Sequence, residues 1–470
     1  MSVQNTHYGA ARIAQMLKEV RSIYFIGIGG INMSSLAHIT HNRGYVVGGS
    51  DRTYTEITER LENEGITVNH THSADNVKDY DAFVYTVAIS EDNPEYRFAL
   101  DNSRPCISRA DYLGYIMMAY PVRIGVSGMH GKSTCTSMCA ETLIGAGTDP
   151  TVLSGAQLPT MGGAYCVGDG DCFVFEACEY MDSFLDFNPT VAVILNIEMD
   201  HVDYFKSMEQ IRASFGRFAD IAGEEGYAVY NADDSDVVTA LESFGGNRLS
   251  FGIVNDAARL KAVNITENYG KYSFDILKDG KAFCHVDLRV SGYYNIYNAL
   301  AAAGACMLAG VPADAIADGL HEFCGAGRRM EFKGCINGGE VYDDYGHHPT
   351  EISATLEGAR AMAEKRLICV YQPHTYSRTA ALFEEFAGAF NSCDKVIFVD
   401  IYAARENNEW GVSSQKLALR IGERAEYARS LEEAANMISS QLEEGDVAVV
   451  MGAGDVYKTF DYMIFDSIDM

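Results

Sequence analysis

A six-residue run in the middle of the chain has the composition of a phosphate-binding loop. Residues 128–133 have the sequence GMHGKS and lie between an apolar strand and a predicted helix. At such a turn, backbone N–H groups and the positive end of the helix face an anion, and a lysine adds a point charge. The spacing from Gly128 to Gly131 is shorter than in the usual loop. We interpret the run as a nucleotide loop; a tight turn with a solvated lysine is the alternative.

Two later positions have side chains that could bind the metal of a nucleotide. Glu176 ends an apolar strand, and His201 closes the run NIEMDH, which follows another strand. Ligands for Mg²⁺ cluster at strand ends beside a phosphate loop in open α/β sheets. A lone histidine is more often a packed or capping residue, but the polar run before His201 favours a metal role. These positions predict a metal site next to the loop, where Ser133 offers a hydroxyl.

A second glycine-rich turn comes much earlier in the chain. Gly27, Gly29 and Gly30 follow the first apolar strand, and Asp51 lies just past the next strand. The pattern resembles a dinucleotide fingerprint, although Asn32 stands where the third glycine belongs. A pyrophosphate could bind the amides of this turn, so NAD and a UDP-sugar are both candidates. A purely structural turn is the other possibility.

Three α/β segments are predicted to position these residues, with domain boundaries near residues 121 and 326. The strands are predicted at 23–26, 45–47, 82–86, 122–126, 172–175, 191–195, 367–371, 395–399 and 447–451, and β-hairpins at 260–290. Helices are predicted to end near Arg43, Gly145 and Leu308. The predicted domains are therefore 1–121, 122–326 and 327–470.

Length and charge narrow the possible functions. A chain of 470 residues should form two to four domains, since one domain holds about 100–200 residues. The formal net charge of −29 disfavours nucleic acid and anionic membranes as partners. No apolar run spans a bilayer and no signal peptide is seen, so we expect a cytoplasmic protein. The 12 cysteines form no CxxC pair, which predicts reduced, mostly packed thiols.

Motifs along nearly the whole chain resemble those of the Mur ligase family. In chain order they are GIGGINMS from Gly27, SD from Ser50, TVAIS from Thr86, the loop at Gly128, EACE from Glu176, NIEMDHVDYF from Asn196, NIYN from Asn295, GRRME from Gly327, DDYGHHPTE from Asp343 and QPHTYSRT from Gln372. The last two are the most distinctive, and they resemble the alanine-adding branch.

The resemblance implies an α/β fold of three domains. A UDP-sugar-binding Rossmann-like domain and a C-terminal Rossmann-like, amino-acid-binding domain would flank a central P-loop ATPase domain. It also implies a ligase that uses ATP and two Mg²⁺ ions to join L-alanine to the carboxylate of UDP-N-acetylmuramate, through an acyl-phosphate, in peptidoglycan precursor synthesis. The protein would be a monomer or a homodimer.

The resemblance also assigns roles to individual residues. The UDP-sugar site would contain Gly27, Gly29, Gly30, Asp51, His72, Thr86, Ala88 and Ser90. The ATP site would contain Gly128, Met129, His130, Gly131, Lys132, Ser133, Thr134, Asn295, Asn298 and Asp344. Ser133, Glu176 and His201 would bind metal, and His347, His374 and Arg378 would bind the amino acid. Lys132, His201, Arg328 and His347 would be the catalytic residues.

Four residues depart from the family pattern. Met129 stands where threonine is usual, Ser133 replaces a threonine and Cys178 replaces an aspartate. Tyr294 occupies a position where histidine is common, which affects the predicted adenine contacts. Residues 208–220 contain no lysine, which agrees with the alanine-adding branch because other members carry a carbamylated lysine there.

Four alternatives explain part of the pattern. A related ligase would add a tripeptide to the same sugar acid, and a folate polyglutamate ligase would lack the UDP-binding first domain. A nicotinamide dehydrogenase would use the first turn but leave Lys132, Glu176 and His201 without a role. A non-catalytic nucleotide switch would not need the runs from Asp343 and Gln372.

Overall fold

A computed structural model describes residues 3–201, 204–404 and 406–467. The chain divides into two compact units. One comprises residues 1–251 and 304–311, and the other comprises residues 252–303 and 312–470. In the described ranges, no helix combines the length and the apolar character that a membrane span requires.

The first unit begins with a five-stranded parallel sheet. Its strands are β1 (Ser22–Ile26), β2 (Val46–Ser50), β3 (Thr67–Asn69), β4 (Ala82–Tyr85) and β5 (Cys106–Ser108), in the order β3-β2-β1-β4-β5. Its helices are α1 (Ala10–Met16), α2 (Ile31–Asn42), α3 (Glu56–Asn63), α4 (Pro94–Asp101) and α5 (Arg109–Met117), with a short 3-10 helix at Ala74–Val77. The carboxyl ends of β1, β2 and β4 therefore lie at one edge of the sheet, where the first glycine turn begins.

The same unit contains a second run of seven strands. They are β6 (Val122–Ser127), β7 (Thr151–Leu158), β8 (Gly163–Cys166), β9 (Cys172–Glu176), β10 (Val191–Ile194), β11 (Tyr227–Asn231) and β12 (Asn247–Gly252), in the order β12-β11-β10-β6-β9-β7-β8. Only β8 runs antiparallel to its neighbour in this run. The helices are α6 (Lys132–Gly145), α7 (Met208–Asp220) and α8 (Ser235–Ala240), with 3-10 helices at Pro159–Met161 and Tyr180–Asp186.

The second unit joins an antiparallel meander to a six-stranded sheet. The meander consists of β13 (Leu260–Asn268), β14 (Lys271–Lys278) and β15 (Lys281–Ser291). The sheet has β16 (Glu331–Ile336), β17 (Gly339–Asp344), β18 (Leu367–Tyr371), β19 (Lys395–Phe398), β20 (Ala425–Tyr427) and β21 (Val447–Met451), in the order β16-β17-β21-β18-β19-β20. All its pairs are parallel except β16 with β17.

Helices cover both faces of the six-stranded sheet: those at Pro349–Met362, Phe383–Ala389 and Ser414–Ile421 on one face, and the one at Leu431–Ser439 on the other. The described part of the second unit has seven α-helices. They are α9 (Tyr294–Leu308), α10 (Ala313–Glu322), α11 (Pro349–Met362), α12 (Tyr376–Ala381), α13 (Phe383–Ala389), α14 (Ser414–Ile421) and α15 (Leu431–Ser439), with a 3-10 helix at Val456–Tyr462. Residues 304–308 of α9 are counted with the first unit.

The predicted strands and hairpins are present, but one boundary prediction was wrong. The strand predicted at 45–47 runs instead from Val46 to Ser50, through Gly48 and Gly49. A Cβ at Gly49 would lie 2.5 Å from the carbonyl oxygen of Phe25, and one at Gly48 would overlap the Tyr80 side chain. The two glycines are therefore needed for close packing and do not end the strand.

The cysteines agree with the expectation of packed, reduced thiols. All 12 lie in the described ranges, where none forms a disulfide and only Cys178 and Cys324 are exposed.

Candidate functional site

The GMHGKS loop forms the turn between β6 and α6. Gly131 caps the helix in the left-handed region, with φ 84°, and Gly128 has φ 141°. A Cβ at Gly128 would lie 2.9 Å from that of Leu195. Both positions thus need glycine, because a side chain would be strained there. With this backbone, the N–H groups of the first turn of α6 face the loop.

Asn196 holds this loop from the end of β10. Its Oδ1 accepts a hydrogen bond from the His130 N–H at 2.8 Å, and its Nδ2 donates to the His130 carbonyl at 3.0 Å. The Met129 N–H donates to the Asn196 carbonyl. The His130 ring in turn lies against the Glu198 carboxylate. Sequence analysis placed Asn196 in a motif but gave it no role, although a side-chain amide can clamp a loop by bonding both ways.

Lys132 lies folded against the loop that it follows. Its Nζ donates to the carbonyl oxygens of Gly128, at 2.5 Å, and Met129, at 3.0 Å, and lies 3.0 Å from Glu179 Oε2. Burial lowers the pKa of Lys132, but Glu179, together with Cys178 and Glu176, outweighs burial and the net pKa is raised. The ammonium is therefore charged at neutral pH and is held where a phosphate would meet the loop.

Glu179 is the central acidic residue of this site, and sequence analysis did not assign it. The side chain is 1% exposed, and Oε1 lies 2.9 Å from His201 Nε2. Burial would raise the pKa of Glu179, but the charge of Lys132 and the hydrogen bond from His201 together outweigh burial and hold the pKa below the usual value. The signal available in the sequence was the second acid of the EACE motif, three residues after Glu176.

The predicted metal ligands have different partners. Glu176, at the end of β9, accepts hydrogen bonds from Ser154 Oγ, at 3.4 Å, and from the Gly155 N–H. His201 has φ 49° and contacts Glu179 instead. Ser133 is buried in the first turn of α6, as is Thr134. Ser133, Glu176 and His201 thus lie at or after the carboxyl ends of β6, β9 and β10, which are neighbours in the sheet. Glu179 contacts both His201 and Lys132.

The first glycine turn has a different set of contacts. The N–H groups of Gly27 and Ile28 donate to the Ser50 carbonyl at 2.8 and 2.9 Å. The Gly29 N–H donates to Asp51 Oδ2 at 3.0 Å, and a Cβ at Gly29 would lie 2.8 Å from that oxygen. Asp51 therefore orders the turn directly, and Gly29 leaves room for it.

The other predicted UDP-sugar residues lie at the same sheet edge. Thr86 follows β4, and its methyl group leaves no space for a side chain at Gly27, which has φ 87°. The Ala88 N–H donates to Thr86 Oγ1 at 3.4 Å, and Ser90 bonds Asp92. Thr86, Ala88 and Ser90 thus follow β4, beside the strand that leads into the glycine turn, and their role in a UDP-sugar site stays a prediction.

Three predicted ATP-binding residues lie in the second unit. Asn295 Nδ2 donates to the Ser291 carbonyl at 2.7 Å, and Asn298 Nδ2 donates to Asn295 Oδ1 at 2.9 Å. Both oxygens of Asp344 already accept backbone hydrogen bonds, from Met330 at 2.9 Å and Gly346 at 2.8 Å. Burial raises the pKa of Asp344. This carboxylate thus shapes the chain around β17, in addition to any nucleotide contact.

Arg328 is held at the start of the six-stranded sheet. It has φ 56°, its Nη2 donates to the Gly452 carbonyl at 2.6 Å, and its Nε lies 3.2 Å from Asp343. The guanidinium lies over the rings of Tyr345 and Tyr457, at 5.0 and 4.9 Å from their centroids. The Gly452 carbonyl and Asp343 thus hold the edge of the guanidinium, and the two tyrosine rings contact its faces.

The predicted amino-acid residues gather at the carboxyl ends of β17 and β18. The rings of His347 and His374 are 6.1 Å apart, and His374 stacks on Tyr402 at 5.6 Å. Burial and the nearby Arg378 lower the pKa of His374, so this ring is neutral at pH 7. Arg378 lies on α12, which begins after Thr375 at φ 67°. His347 and Arg378 thus both lie near His374, and an amino-acid site formed by these three residues stays a prediction.

Comparison with known proteins decides the family. Sequence models of the Mur ligase family match residues 22–121 (the catalytic domain), 126–306 (the middle domain) and 328–454 (the glutamate ligase domain). A protein of Clostridium novyi named UDP-N-acetylmuramate–L-alanine ligase is 42% identical over 93% of this chain and 96% of its own. The chain is a Mur ligase. A protein of the same name from Acetivibrio thermocellus is 43% identical over 95% of the chain and 96% of its own.

Solved structures show the same architecture. The crystal structure of UDP-N-acetylmuramate-alanine ligase from Thermotoga maritima matches with a TM-score of 0.78 and 27% identity, over 94% of this chain and 98% of that one. A murein peptide ligase from Psychrobacter arcticus has a TM-score of 0.69 and 22% identity over 94% and 98% of the two chains, which shows the fold alone. The Mur ligase thus has the three-domain architecture predicted from its motifs; the boundaries at 121 and 326 stay a prediction.

Proposed function

We propose that this Mur ligase joins L-alanine to the carboxylate of UDP-N-acetylmuramate, with hydrolysis of ATP to ADP and phosphate. The observation that carries the proposal is the cluster of Lys132, the buried Glu179 and His201 beside the GMHGKS loop, in a chain 42% identical to a relative named for this reaction. The reaction would supply a peptidoglycan precursor, and so serve cell-wall synthesis, cell shape and division, in the cytoplasm.

The first half-reaction would activate the carboxylate. A carboxylate oxygen attacks the γ-phosphorus, the bond to the β-phosphate oxygen breaks and ADP leaves, which produces an acyl-phosphate. Because charge spreads over the phosphoryl oxygens, the protein mainly has to supply cations. Lys132 is charged and aimed at the loop, and the amides of the loop add their dipoles.

Magnesium fits the donor set around the loop. Ser133 would bind one Mg²⁺ together with Glu176, and His201 a second; a hydroxyl and a carboxylate are the oxygen ligands that this ion prefers. When bound, Mg²⁺ would neutralise charge on the transferred phosphoryl group. Glu179 would hold His201 and Lys132 in place beside it.

The second half-reaction would consume the acyl-phosphate. The neutral amine of L-alanine attacks the acyl carbon, the carbon–oxygen bond to phosphate breaks, and an amide forms as the amine loses its proton. Arg378 would hold the alanine carboxylate by a bidentate contact. His374, which is neutral at pH 7, and His347 would order the amine or accept its proton.

The remaining residues would contact the nucleotide. Arg328 would reach the phosphates, and Asn295, Asn298 and Asp344 would contact the nucleoside. We further propose a monomer or homodimer that binds neither nucleic acid nor membrane.

The test is ADP release with saturating ATP, Mg²⁺ and UDP-N-acetylmuramate, with each amino acid in turn and mass spectrometry of the product. We expect L-alanine to be best, with glycine and L-serine weaker, because one methylene is worth only about 1–3 kcal/mol. If only an alanyl-glutamyl tripeptide supports turnover, the proposed substrate is wrong. The Arg378→Ala variant should need far more L-alanine; an unchanged dependence would remove Arg378 from the site.

A further inference from the structure

A buried carboxylate lies below the first glycine turn and has no role in the reaction above. Glu95 is in the first turn of α4, and its side chain is 0% exposed. It accepts hydrogen bonds from Tyr24 Oη at 3.1 Å, Ser50 Oγ at 2.5 Å and His72 Nδ1 at 2.9 Å. It also accepts from the Ser73 N–H at 3.3 Å and Asn76 Nδ2 at 3.1 Å. A buried acid with so many donors is held ionised.

The charge of Glu95 is compensated locally. Burial would raise its pKa, but hydrogen bonds from His72, Ser50 and Asn76 outweigh burial and lower the pKa below the usual value. In the described part of the chain, His72 is the only basic side chain in contact with Glu95. Because a buried carboxylate is costly without a partner, the orientation of His72 is tied to this acid.

His72 connects Glu95 to the glycine turn. Its Nδ1 lies 3.0 Å from Ser50 Oγ as well as 2.9 Å from Glu95, and the side chain is 11% exposed. The carbonyl of the same Ser50 accepts the Gly27 and Ile28 N–H groups. With Nδ1 used on the buried side, Nε2 is the ring nitrogen left for a ligand.

We propose that Glu95 is a positioning residue for the UDP-sugar site. It accepts the proton of His72 Nδ1 in a hydrogen bond and fixes the angle of the ring, so that Nε2 is the acceptor for a ribose hydroxyl of the uridine diphosphate. The proposal rests on the proposed function, since it requires that the first turn binds UDP. A carboxylate behind a histidine fixes its tautomer and orientation in the same way at metal sites.

The Glu95→Gln variant tests this proposal. Glutamine keeps the shape but loses the charge, and its amide hydrogens face donors. We expect the Kd for UDP and for UDP-N-acetylmuramate, measured by calorimetry, to rise about tenfold alike. The KM for UDP-N-acetylmuramate should rise in parallel, while kcat and the KM for ATP stay as in the wild type. His72→Ala should give a similar loss, and the double variant little more, because both act through one contact.

Asp111→Asn provides a matched control for stability. Asp111 is a carboxylate of the same sheet region, 1% exposed, and it accepts from Thr6 Oγ1 and the N–H groups of Tyr8 and Gly9. This variant should lose stability and keep its affinity for UDP. An unchanged Kd in folded Glu95→Gln, additive losses in the double variant, or a loss confined to UDP-N-acetylmuramate would overturn the proposal. A wild-type protein that binds neither ligand would instead disprove the proposed function.

Discussion

The two glycine turns of the first unit share a backbone plan and differ in the side chains that surround them. Each follows a buried parallel strand and precedes a helix, β1 to α2 in one case and β6 to α6 in the other. The first turn faces Asp51, which accepts the Gly29 N–H. The second faces Lys132 and is clamped by Asn196.

Under the proposed function, this difference would separate the binding of UDP from the chemistry of phosphoryl transfer. Dipoles of backbone amides suffice to hold a diphosphate that does not react. During phosphoryl transfer, the negative charge on the phosphoryl oxygens has to be neutralised. The cation of the second turn, Lys132, would serve this purpose, and Glu179 holds it in place. Variants of the second turn should thus lower kcat, and variants of the first should raise the KM and Kd for the UDP-sugar.

The largest effect is expected for Lys132→Ala. Loss of a cation at the transferred phosphoryl group should lower kcat about 10²–10³-fold or more. Steady-state ADP release measures this, with the exposed Lys18→Ala as a matched control that should keep full activity. Near-normal turnover by a folded Lys132→Ala protein would contradict a catalytic role for the second turn.

A smaller loss of kcat is expected for Glu179→Gln. The charge that holds both Lys132 and His201 is removed, while the shape is kept, and we expect about a hundredfold decrease. Single-turnover kinetics would locate the loss in the chemical step. If Glu179→Gln instead weakens only the UDP-sugar, its link to the phosphate loop is wrong.

For the first turn, Gly29→Val should weaken UDP-N-acetylmuramate binding about tenfold to a hundredfold. The new side chain would overlap Asp51, and overpacking of this kind costs about 1–3 kcal/mol. Calorimetry should show that ATP binding is unchanged. Equal affinity for the UDP-sugar in this variant would mean that the first turn binds another ligand.

A moderate effect is expected for His201→Ala. Removal of a metal ligand or its support should raise the Mg²⁺ concentration for half-maximal activity about tenfold. The measurement is a Mg²⁺ titration at saturating substrates. An unchanged titration would give His201 a structural role only.

The smallest effect concerns stability and pH at the first turn. The pKa of Glu95 is lowered in the folded state, so its charge stabilises the fold above the unfolded pKa, and that stability is lost as pH falls through the folded pKa. The wild-type advantage over Glu95→Gln in free energy of unfolding should therefore be present at neutral pH and shrink below about pH 4. Urea unfolding at both pH values measures it; an advantage that grows on acidification would contradict an ionised Glu95.

Local sequence determined both turns and most of the secondary structure. Gly128, Gly131 and Gly27 adopt positive φ values that favour glycine, and Lys132 must follow its loop at the helix start, so spacing alone places them. Apolar periodicity likewise predicted the buried strands, although it missed that the strand ending at Ser50 passes through Gly48 and Gly49. The clustering of His347, His374 and Arg378 was predicted through the family resemblance.

Only the tertiary structure decided which polar groups act on these turns. Glu179 meets Lys132 from 47 residues away, Asn196 meets His130 from 66, and Glu95 meets His72 from 23. Such pairs depend on how strands are ordered in the sheet and on which side chains are buried together, and spacing along the chain does not record either. An acid like Glu95 looks like an ordinary helix-start residue in the sequence. Its importance follows from complete burial, because a buried charge destabilises the fold unless it is paired and hydrogen-bonded.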